Sequence, residues 1–298
     1  MRIFLITVLL LQFGIDCNAQ NYFNRYEALI ELKDTTGQKA FLRKWETESP
    51  RDPELYVCYY NYYIQKSMSE TLSLVKQPIG VNIFELADSA VNDVGYLSNN
   101  VQYNPVFVKK AMEYIEKGIK LFPDRLDLRF GKIYILGEMR NYKEFTTEII
   151  KAIQYSDTIK NAWLWSFDER KKDGKTFFLE NIHSYVLKIY DTNDDKLLEN
   201  MKQISESVLS YYPDHIQSLS NISVVYMIRN QYDLALTYLL RAEKVDSKDF
   251  VVLANIAHAY KLKGDKKNAI KYYKKTQKHG DADTKDFARE QIAELKKS

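Results

Sequence analysis

Apolar residues along most of this chain recur at steps of three and four, which is the spacing of one face of an α-helix. Glycine and proline are scarce, with 10 and 6 in 298 residues, although folds built from short strands need both at their corners. The pattern therefore predicts an all-α protein. The predicted helices span residues 22–33, 36–48, 53–66, 105–121, 125–139, 142–155, 176–190, 194–211, 214–229, 232–245, 248–262, 266–278 and 284–296.

Two neighbouring stretches of the chain repeat each other, with a period of about 34 residues that is typical of helical repeats. A helix–turn–helix unit of this length buries its apolar face only by stacking on the next unit. The period therefore predicts a solenoid, a fold that offers a surface for binding rather than a site for catalysis. The repeated positions are Leu219, Ile222, Tyr226, Ala235, Tyr238 and Leu239, which recur as Leu253, Ile256, Tyr260, Ala269, Tyr272 and Tyr273.

The repeated residues resemble the tetratricopeptide repeat family. In the second stretch the segment from Ala259 to Asp265 is similar to the family's aromatic-to-glycine turn, and Ala269 and Tyr273 fall at its later alanine and aromatic positions. The resemblance is strong over 214–283 and weaker upstream, and it extends to exported proteins of Bacteroidetes. It implies a right-handed α-solenoid of antiparallel helix pairs (TPR-like) with a C-terminal capping helix.

The pattern divides the chain into eight segments. The segment 67–104 is longer than most loops of a compact domain and too apolar for a solvated linker, so we expect it to pack across the solenoid. The segments are a signal peptide (1–19), a degenerate N-terminal helical repeat (20–66), a packed irregular insertion (67–104), tetratricopeptide-like repeats (105–155), a Trp-containing loop (156–175), a degenerate repeat (176–213), two clear repeats (214–283) and a capping helix (284–298).

The first residues have the pattern of a secretory leader. Arg2 precedes an apolar run from Ile3 to Phe13, and small residues ending at Ala19 offer a cleavage site. A lipid anchor on Cys17 is the less favoured alternative, because the residues before it fit a lipoprotein signal poorly. No later apolar stretch is long enough to span a membrane, so we expect an exported protein of the periplasm or envelope.

The charge of the chain is small overall and uneven along it. The formal net charge of +3 does not indicate nucleic acid as a partner. The last repeat is rich in lysine, which is typical either of the solvated outside of a terminal repeat or of a surface for an anionic partner. The lysines are Lys261, Lys263, Lys266, Lys267, Lys271, Lys274, Lys275 and Lys278.

The histidines and cysteines show no metal-binding spacing among themselves. The histidines are distributed over separate helices and turns, and Cys58 has no cysteine partner in the mature chain. No glycine-rich phosphate loop or nucleophile elbow is present. We therefore expect no metal, no cofactor and no enzyme, although histidines or acids clustered in one pocket would favour an enzyme. The four histidines are His183, His215, His258 and His279.

Aromatic residues offer two further candidates. Tyr56, Tyr59, Tyr60 and Tyr63 fall on one helix face, which fits either core packing or an aromatic-lined groove, and core packing is favoured. The pair Trp163 and Trp165 fits either gap-filling between helices or a platform for a ligand.

These observations predict a non-enzymatic exported scaffold that binds a protein or peptide partner in its concave groove. The alternative is a small-ligand or glycan-binding envelope protein that uses Trp163 and Trp165, with 67–104 as a wall. We expect the groove residues to be solvated in the free protein. The predicted partner-binding residues are Gln217, Ser220, Asn221, Val224, Met227, Val251, Ala254, Asn255, His258 and Lys261.

The leader pattern makes a testable prediction. The mature protein is expected to begin at Gln20, because the small-residue cleavage site ends at Ala19. N-terminal sequencing of the protein recovered from the envelope of its native cell measures this directly. Recovery of the intact chain from Met1, or of a lipid-modified Cys17, would contradict it.

Overall fold

The computed structural model describes residues 21–75, 83–86 and 95–297, and the predicted leader lies outside these residues. The chain forms two compact units. The first consists of the described residues between 21 and 139 together with 163–171, and the second consists of 140–162 and 172–297.

The first unit contains five helices and a small sheet within the described residues. Helix α1 covers residues 21–31. The other elements are α2 (Thr35–Glu48), α3 (Pro53–Ser67), β1 (Met68–Val75), β2 (Ile83–Leu86), β3 (Gly95–Tyr103), α4 (Pro105–Leu121) and α5 (Leu126–Glu138), with a 3-10 turn at Ser166–Asp168.

The second unit contains helices alone among its described residues. All thirteen helices predicted from the sequence are present, and their ends lie within four residues of the predictions. The helices are α6 (Tyr142–Thr158), α7 (Gly174–Tyr190), α8 (Leu198–Tyr211), α9 (Ile216–Ile228), α10 (Tyr232–Val245), α11 (Phe250–Leu262), α12 (Lys266–His279) and α13 (Ala282–Lys297).

The sequence period is visible in the geometry of the second unit. The ends of α11 and α12 lie one full period after those of α9 and α10. Tyr226 stacks on Tyr238 with ring centroids 5.7 Å apart, and Tyr260 stacks on Tyr272 at the same 5.7 Å. Each tyrosine pair joins the two helices of one unit, so successive units reproduce one packing arrangement.

The turn inside each helix pair has a recurring backbone conformation. A residue with positive φ stands two positions before the second helix, and Gly264 adopts it at φ +84° without a side-chain penalty. Asn230, at φ +57°, occupies the matching position of the preceding repeat. The same conformation precedes α2 and α6, which shows that the turn is shared by the divergent repeats. The residues at these two turns are Lys33 and Arg140.

Small residues set the distance between the helices of the second unit. Ala235, Ala242 and Ala269 are fully buried in contacts that leave no room for a larger side chain. Leu219, Leu253 and Ile256, which are also fully buried, fill the space toward the neighbouring helices. Burial of this stripe is the main source of stability of such a stack.

Helix α3 is the centre of the first unit. Tyr56, Tyr59, Tyr60 and Tyr63 are all buried, so they contribute to the core and do not line a groove. The Tyr60 hydroxyl donates a 2.7 Å hydrogen bond to the carbonyl oxygen of Gly131. The polar tip of this buried tyrosine is thereby satisfied by α5.

The segment expected to be irregular instead contains strands. β1 and β2 both pair antiparallel with β3, with Met68 opposite Tyr103 at the base. The backbone N–H of Asn104 donates to the Ser67 carbonyl oxygen at 2.8 Å and closes that base. In β1 the two-residue period of a strand is visible only from Leu72 to Leu74, because Ser69, Glu70 and Thr71 are all polar. The serines, asparagines and glycines of the segment had favoured a loop instead. The sheet is inserted between α3 and α4, which pack directly against each other.

A buried ionic cluster ties the segment 163–171 to the first unit. The Arg125 side chain is 1% exposed and donates to Glu54 at 2.8 Å and to Asp127 at 2.7 Å. It also reaches the exposed carboxylate of Asp168 at 3.2 Å. The backbone N–H of Phe167 donates to Glu54 at 2.6 Å. Glu54 therefore connects helix α3 both to Arg125 and to the 3-10 turn.

Trp163 fills a gap in the same unit. Its ring is fully buried, and the Arg129 guanidinium lies over it at 5.8 Å from the ring centroid. Trp165 is half-buried, with its ring edge-on to Phe130 at 6.3 Å. Trp163 therefore acts as a packing residue.

Within the described ranges no helix combines the length and the apolar character needed to cross a membrane.

The alanine contacts generate a stability prediction. Ala269→Leu is expected to lower the free energy of unfolding by about 1–3 kcal/mol, because the larger side chain overpacks a closed helix contact. Lys274→Leu, on the exposed side of the same helix, is the matched control and should change stability by less than about 0.5 kcal/mol. Urea denaturation followed by circular dichroism measures both, and equal effects would contradict the assigned packing.

The ionic cluster generates a second prediction. Arg125→Met leaves Glu54 and Asp127 without their buried counter-charge, which should cost about 3–5 kcal/mol of unfolding free energy at pH 8. The control Arg289→Met removes an exposed arginine, with its side chain 66% exposed, and should be near neutral.

The stability lost in the Arg125→Met variant is expected to depend on pH. Burial already raises the pKa of Glu54, and the Arg125 charge opposes that rise. Without Arg125 the folded-state pKa of Glu54 rises further, so the folded variant takes up a proton and regains stability as the pH falls. The loss of unfolding free energy relative to wild type should be smaller at pH 5 than at pH 8. An equal deficit at both pH values would show that Glu54 is not the group left uncompensated.

Candidate functional site

The first helices of successive pairs form one row in the second unit. α9 contacts both α7 and α11 along this row, while α8, α10 and α12 lie behind it. We call the row of α7, α9 and α11, with the capping helix α13, the inner face. Two depressions open on it, one apolar and one polar.

The apolar depression lies between α11 and α13 and has a volume of about 350 Å³. Val251 and Phe287 are its exposed apolar walls, with 53% and 46% of their surface accessible. Together these two side chains give the depression an exposed apolar surface of the kind that a partner can cover. Its lining residues are Phe250, Val251, Ala254, Asn255, Asp283, Thr284 and Phe287.

The polar cavity lies between α7 and the start of α9 and has a volume of about 490 Å³. Its walls contain one lysine, one glutamate, two histidines and several neutral polar groups, and Leu179 is the sole apolar side chain among them. The lining residues are Lys175, Thr176, Leu179, Glu180, His183, Ser184, His215 and Gln217.

Both histidines of this cavity are held in place through Nδ1. His215 Nδ1 lies 2.8 Å from the Ser218 hydroxyl, and His183 Nδ1 lies 3.3 Å from the Asn221 side-chain nitrogen. Burial, then the charges of His183 and Lys175, lower the pKa of His215 to about 4. Burial also lowers the pKa of His183. Both rings are therefore neutral at pH 7.

This arrangement suits binding better than catalysis. Ser218 pairs with His215 as a nucleophile would, but its side chain is buried and lies outside the cavity wall. A substrate carbonyl in the cavity would not reach it. Within the described ranges, no three His, Cys, Asp or Glu side chains are grouped to hold a metal ion.

Four of the ten predicted partner-binding residues line the two depressions. Val251, Ala254 and Asn255 form the α11 wall of the apolar depression. Gln217 lies in the wall of the polar cavity.

Two of the predicted residues are engaged within the protein. Asn221 is 7% exposed and bonded to His183, so the expectation that it is solvated is wrong. Lys261 donates to Gln291 and to Glu294, both at 2.8 Å, and thereby fastens the capping helix to α11. The repeat pattern predicts on which face of its helix each of these two residues lies. It does not predict which neighbouring helix covers that face.

The remaining four predicted residues lie outside both depressions. Ser220, Val224 and Met227 are half-buried, and Met227 packs against the core of the second unit. His258 is exposed, and its pKa is lowered by partial burial and then by the Lys261 charge.

Sequence reasoning missed most of the polar cavity. Glu180 and His183 stand three residues apart on α7, a spacing that brings both to one helix face and could have signalled the cavity. His215 comes from the start of another helix, and no sequence spacing reveals that it lies beside His183. Phe287 of α13 was missed because all the predicted partner-binding residues came from the two clear repeats.

The lysines of the last repeat are partly neutralised by acidic side chains. Lys263 pairs with Asp233, Lys275 with Glu243, and Lys261 with Glu294. These contacts join α12 and its flanking residues to the neighbouring helices. An anionic partner at this end of the chain stays a prediction.

Comparison with known proteins gives one family match, which falls in the last repeat. The model of the tetratricopeptide repeat family matches residues 251–276. No curated protein sequence matches the chain.

Several solved structures are similar to it. The C-terminal part of a TPR repeat-containing protein from Cytophaga hutchinsonii is 14% identical, with 92% of this chain and 88% of that chain covered, at a TM-score of 0.47. YrrB, a TPR protein with an unusual peptide-binding site, is 12% identical over 84% of this chain and 97% of that chain, at a TM-score of 0.42. PilF of Pseudomonas aeruginosa is 16% identical over 63% and 80% of the two chains, at a TM-score of 0.37.

Three observations agree on the family. The helix ends recur with the period of the sequence repeat, two successive helix pairs carry the same tyrosine stack, and the family model matches within the second of these pairs. Together they show repeats of the tetratricopeptide type in the helix pairs α9–α10 and α11–α12.

Proposed function

We propose that this protein is an exported, non-enzymatic scaffold that binds an extended segment of a protein partner along the inner face. The observation that carries the proposal is the apolar depression between α11 and α13. Val251 and Phe287 expose apolar surface there, and the free protein gains nothing from exposing it.

The depression also indicates what the partner segment contributes. Its apolar walls suit an aliphatic or aromatic side chain of the partner, the kind of anchor that dominates the energy of many interfaces. Asn255, Thr284 and Asp283 lie at the same site and offer hydrogen bonds to the partner's backbone. A solenoid face suits such a segment because it presents side chains at a regular repeat.

The export part of the proposal rests on the leader pattern alone. A secretory leader followed by a chain with the single cysteine Cys58 fits an envelope protein whose stability does not come from disulfides. Cys58 is free and buried, and burial raises the pKa of its thiol well above the usual range.

The small-ligand alternative loses its main support. It used Trp163 and Trp165 as a platform for a ligand, with 67–104 as a wall. The ring of Trp163 is fully buried, and Trp165 is half-buried against Phe130. We therefore retain the protein-binding function.

Site-specific photo-cross-linking in the native cell envelope tests the proposal. A benzophenone side chain at position 251 should capture a partner that mass spectrometry can identify. The same group at position 234 is the matched control, because Leu234 is also an exposed apolar residue, 46% accessible, but lies on α10 behind the inner face.

The captured partner then permits a quantitative prediction. Val251→Asp should weaken its binding by about tenfold or more, because the change places a charge where an apolar anchor is buried. The melting temperature should stay within a few degrees, since Val251 is 53% exposed in the free protein. Isothermal titration calorimetry of Val251→Asp and of the control Leu234→Asp measures both effects. Equal loss in the two variants would place binding away from the inner face.

A further inference from the structure

The polar cavity between α7 and α9 is not explained by protein binding at the apolar depression. It has a volume of about 490 Å³, and its wall includes Lys175, two histidines and the Gln217 amide, all of which can donate hydrogen bonds. The Ser184 hydroxyl already donates to the Glu180 carbonyl oxygen at 3.0 Å. Such a wall is matched by a ligand that mainly accepts hydrogen bonds.

The two histidines strengthen this match. In the described part of the chain each ring makes its hydrogen bond through Nδ1, His183 with Asn221 and His215 with Ser218. The Asn221 nitrogen is a donor, so His183 Nδ1 accepts and the neutral ring carries its proton on Nε2. The Nε2–H of His183, which lies in the cavity wall, can therefore donate to a ligand.

A positive charge lies beside the histidines and is also suited to a ligand that accepts hydrogen bonds. Lys175 provides the positive charge of the cavity wall, and burial is the main cause of the lowered pKa of His215. Lys175 is placed by its contact with the Tyr212 ring, 5.3 Å from the ring centroid. Helix α9 carries no charged residue from Ile216 to Ile228, and its first N–H groups have no side-chain cap.

Three carboxylates are near enough to count against an anion. Glu180 lies in the wall of the cavity and is exposed to solvent. Asp173 is occupied at the start of α7, where it accepts the backbone N–H of Thr176 at 3.0 Å. Asp214 precedes His215 and is exposed. Glu180 and Asp214 are both in contact with solvent, which screens their charges at the cavity wall.

We infer that this cavity binds an oxyanion, a carboxylate or a phosphate group, between Lys175 and the two imidazole rings. The anion would sit against both rings and favour their charged forms, so that binding takes up protons. Affinity should therefore increase as the pH falls from 7.5 to 5.5. The inference does not depend on the apolar depression and goes beyond the proposed protein partner.

The rival ligand for this cavity is a divalent transition metal. Neutral imidazoles together with Glu180 are also ligands for such an ion. The two chemistries differ in the sign of their pH dependence, because a metal competes with protons for the rings and an anion recruits them. One titration series can therefore separate them.

The experiment uses the full chain and inorganic sulfate, an oxyanion that does not titrate between pH 5 and 8. Histidine ring signals are followed by NMR against pH, with sodium chloride of equal ionic strength as the reference. We expect sulfate to raise the pKa of His183 and of His215 by about 1 each and to leave His258 and His279 unchanged. Sodium acetate at pH 5.5 then tests whether the site also takes a carboxylate.

Two variants make the test specific. Lys175→Gln removes an exposed cation of the cavity and should abolish the sulfate effect, while Lys274→Gln removes an exposed cation of α12 and should preserve it. Both substitutions are at the surface, so both proteins should fold.

The outcomes are distinct. A sulfate effect confined to His183 and His215, and lost in Lys175→Gln alone, supports the inference. The absence of an effect, an equal effect on all four histidines, or a response that survives in Lys175→Gln overturns it. Zinc binding that strengthens as the pH rises, without any response to sulfate, overturns it in favour of a metal site.

Discussion

A pair of helices of 13 or 14 residues cannot bury its apolar side alone, and every feature of the second unit follows from this constraint. Each pair must stack on the next at a separation that side-chain volume sets. The fully buried alanines Ala235 and Ala269 hold the two helices of a pair close together, and the larger apolar residues meet the neighbouring pair. The stack in turn puts the first helices of successive pairs side by side, which creates the inner face.

The first unit also has to bury the apolar sides of its helices, and it does so with different side chains. Tyrosines of α3 replace small aliphatic residues in the core, and their hydroxyl groups find partners at its edge, as Tyr60 does on Gly131. A buried arginine joins the 3-10 turn to this core through carboxylates on α3 and α5. Tyrosine and ion-pair packing requires more specific partners than aliphatic packing, which agrees with the weak repeat pattern in this part of the sequence.

The sequence predicted the helices and the repeat because both depend on local rules. Helical periodicity, a glycine at the turn and alanines at close contacts are visible within a single repeat unit, as at Gly264 and Ala269. The candidate site was predicted only in part, because burial and neighbouring charge depend on other helices. Asn221 was expected to face solvent and is covered by His183, and Lys261 is held by the capping helix. The spacing of residues along the sequence does not predict that His215 lies beside His183.

The position of the small sheet has a consequence for how such a chain can grow. Strands β1, β2 and β3 are inserted at the turn between α3 and α4, and the hydrogen bond from Asn104 to Ser67 brings the ends of the insertion together. Since these ends meet, the insertion leaves α3 and α4 packed as they would be around a short turn. Extra sequence at a helix-to-helix turn is therefore compatible with direct packing of the two helices that it separates. A solenoid of this kind can acquire a module at such a turn and keep the helix pair together.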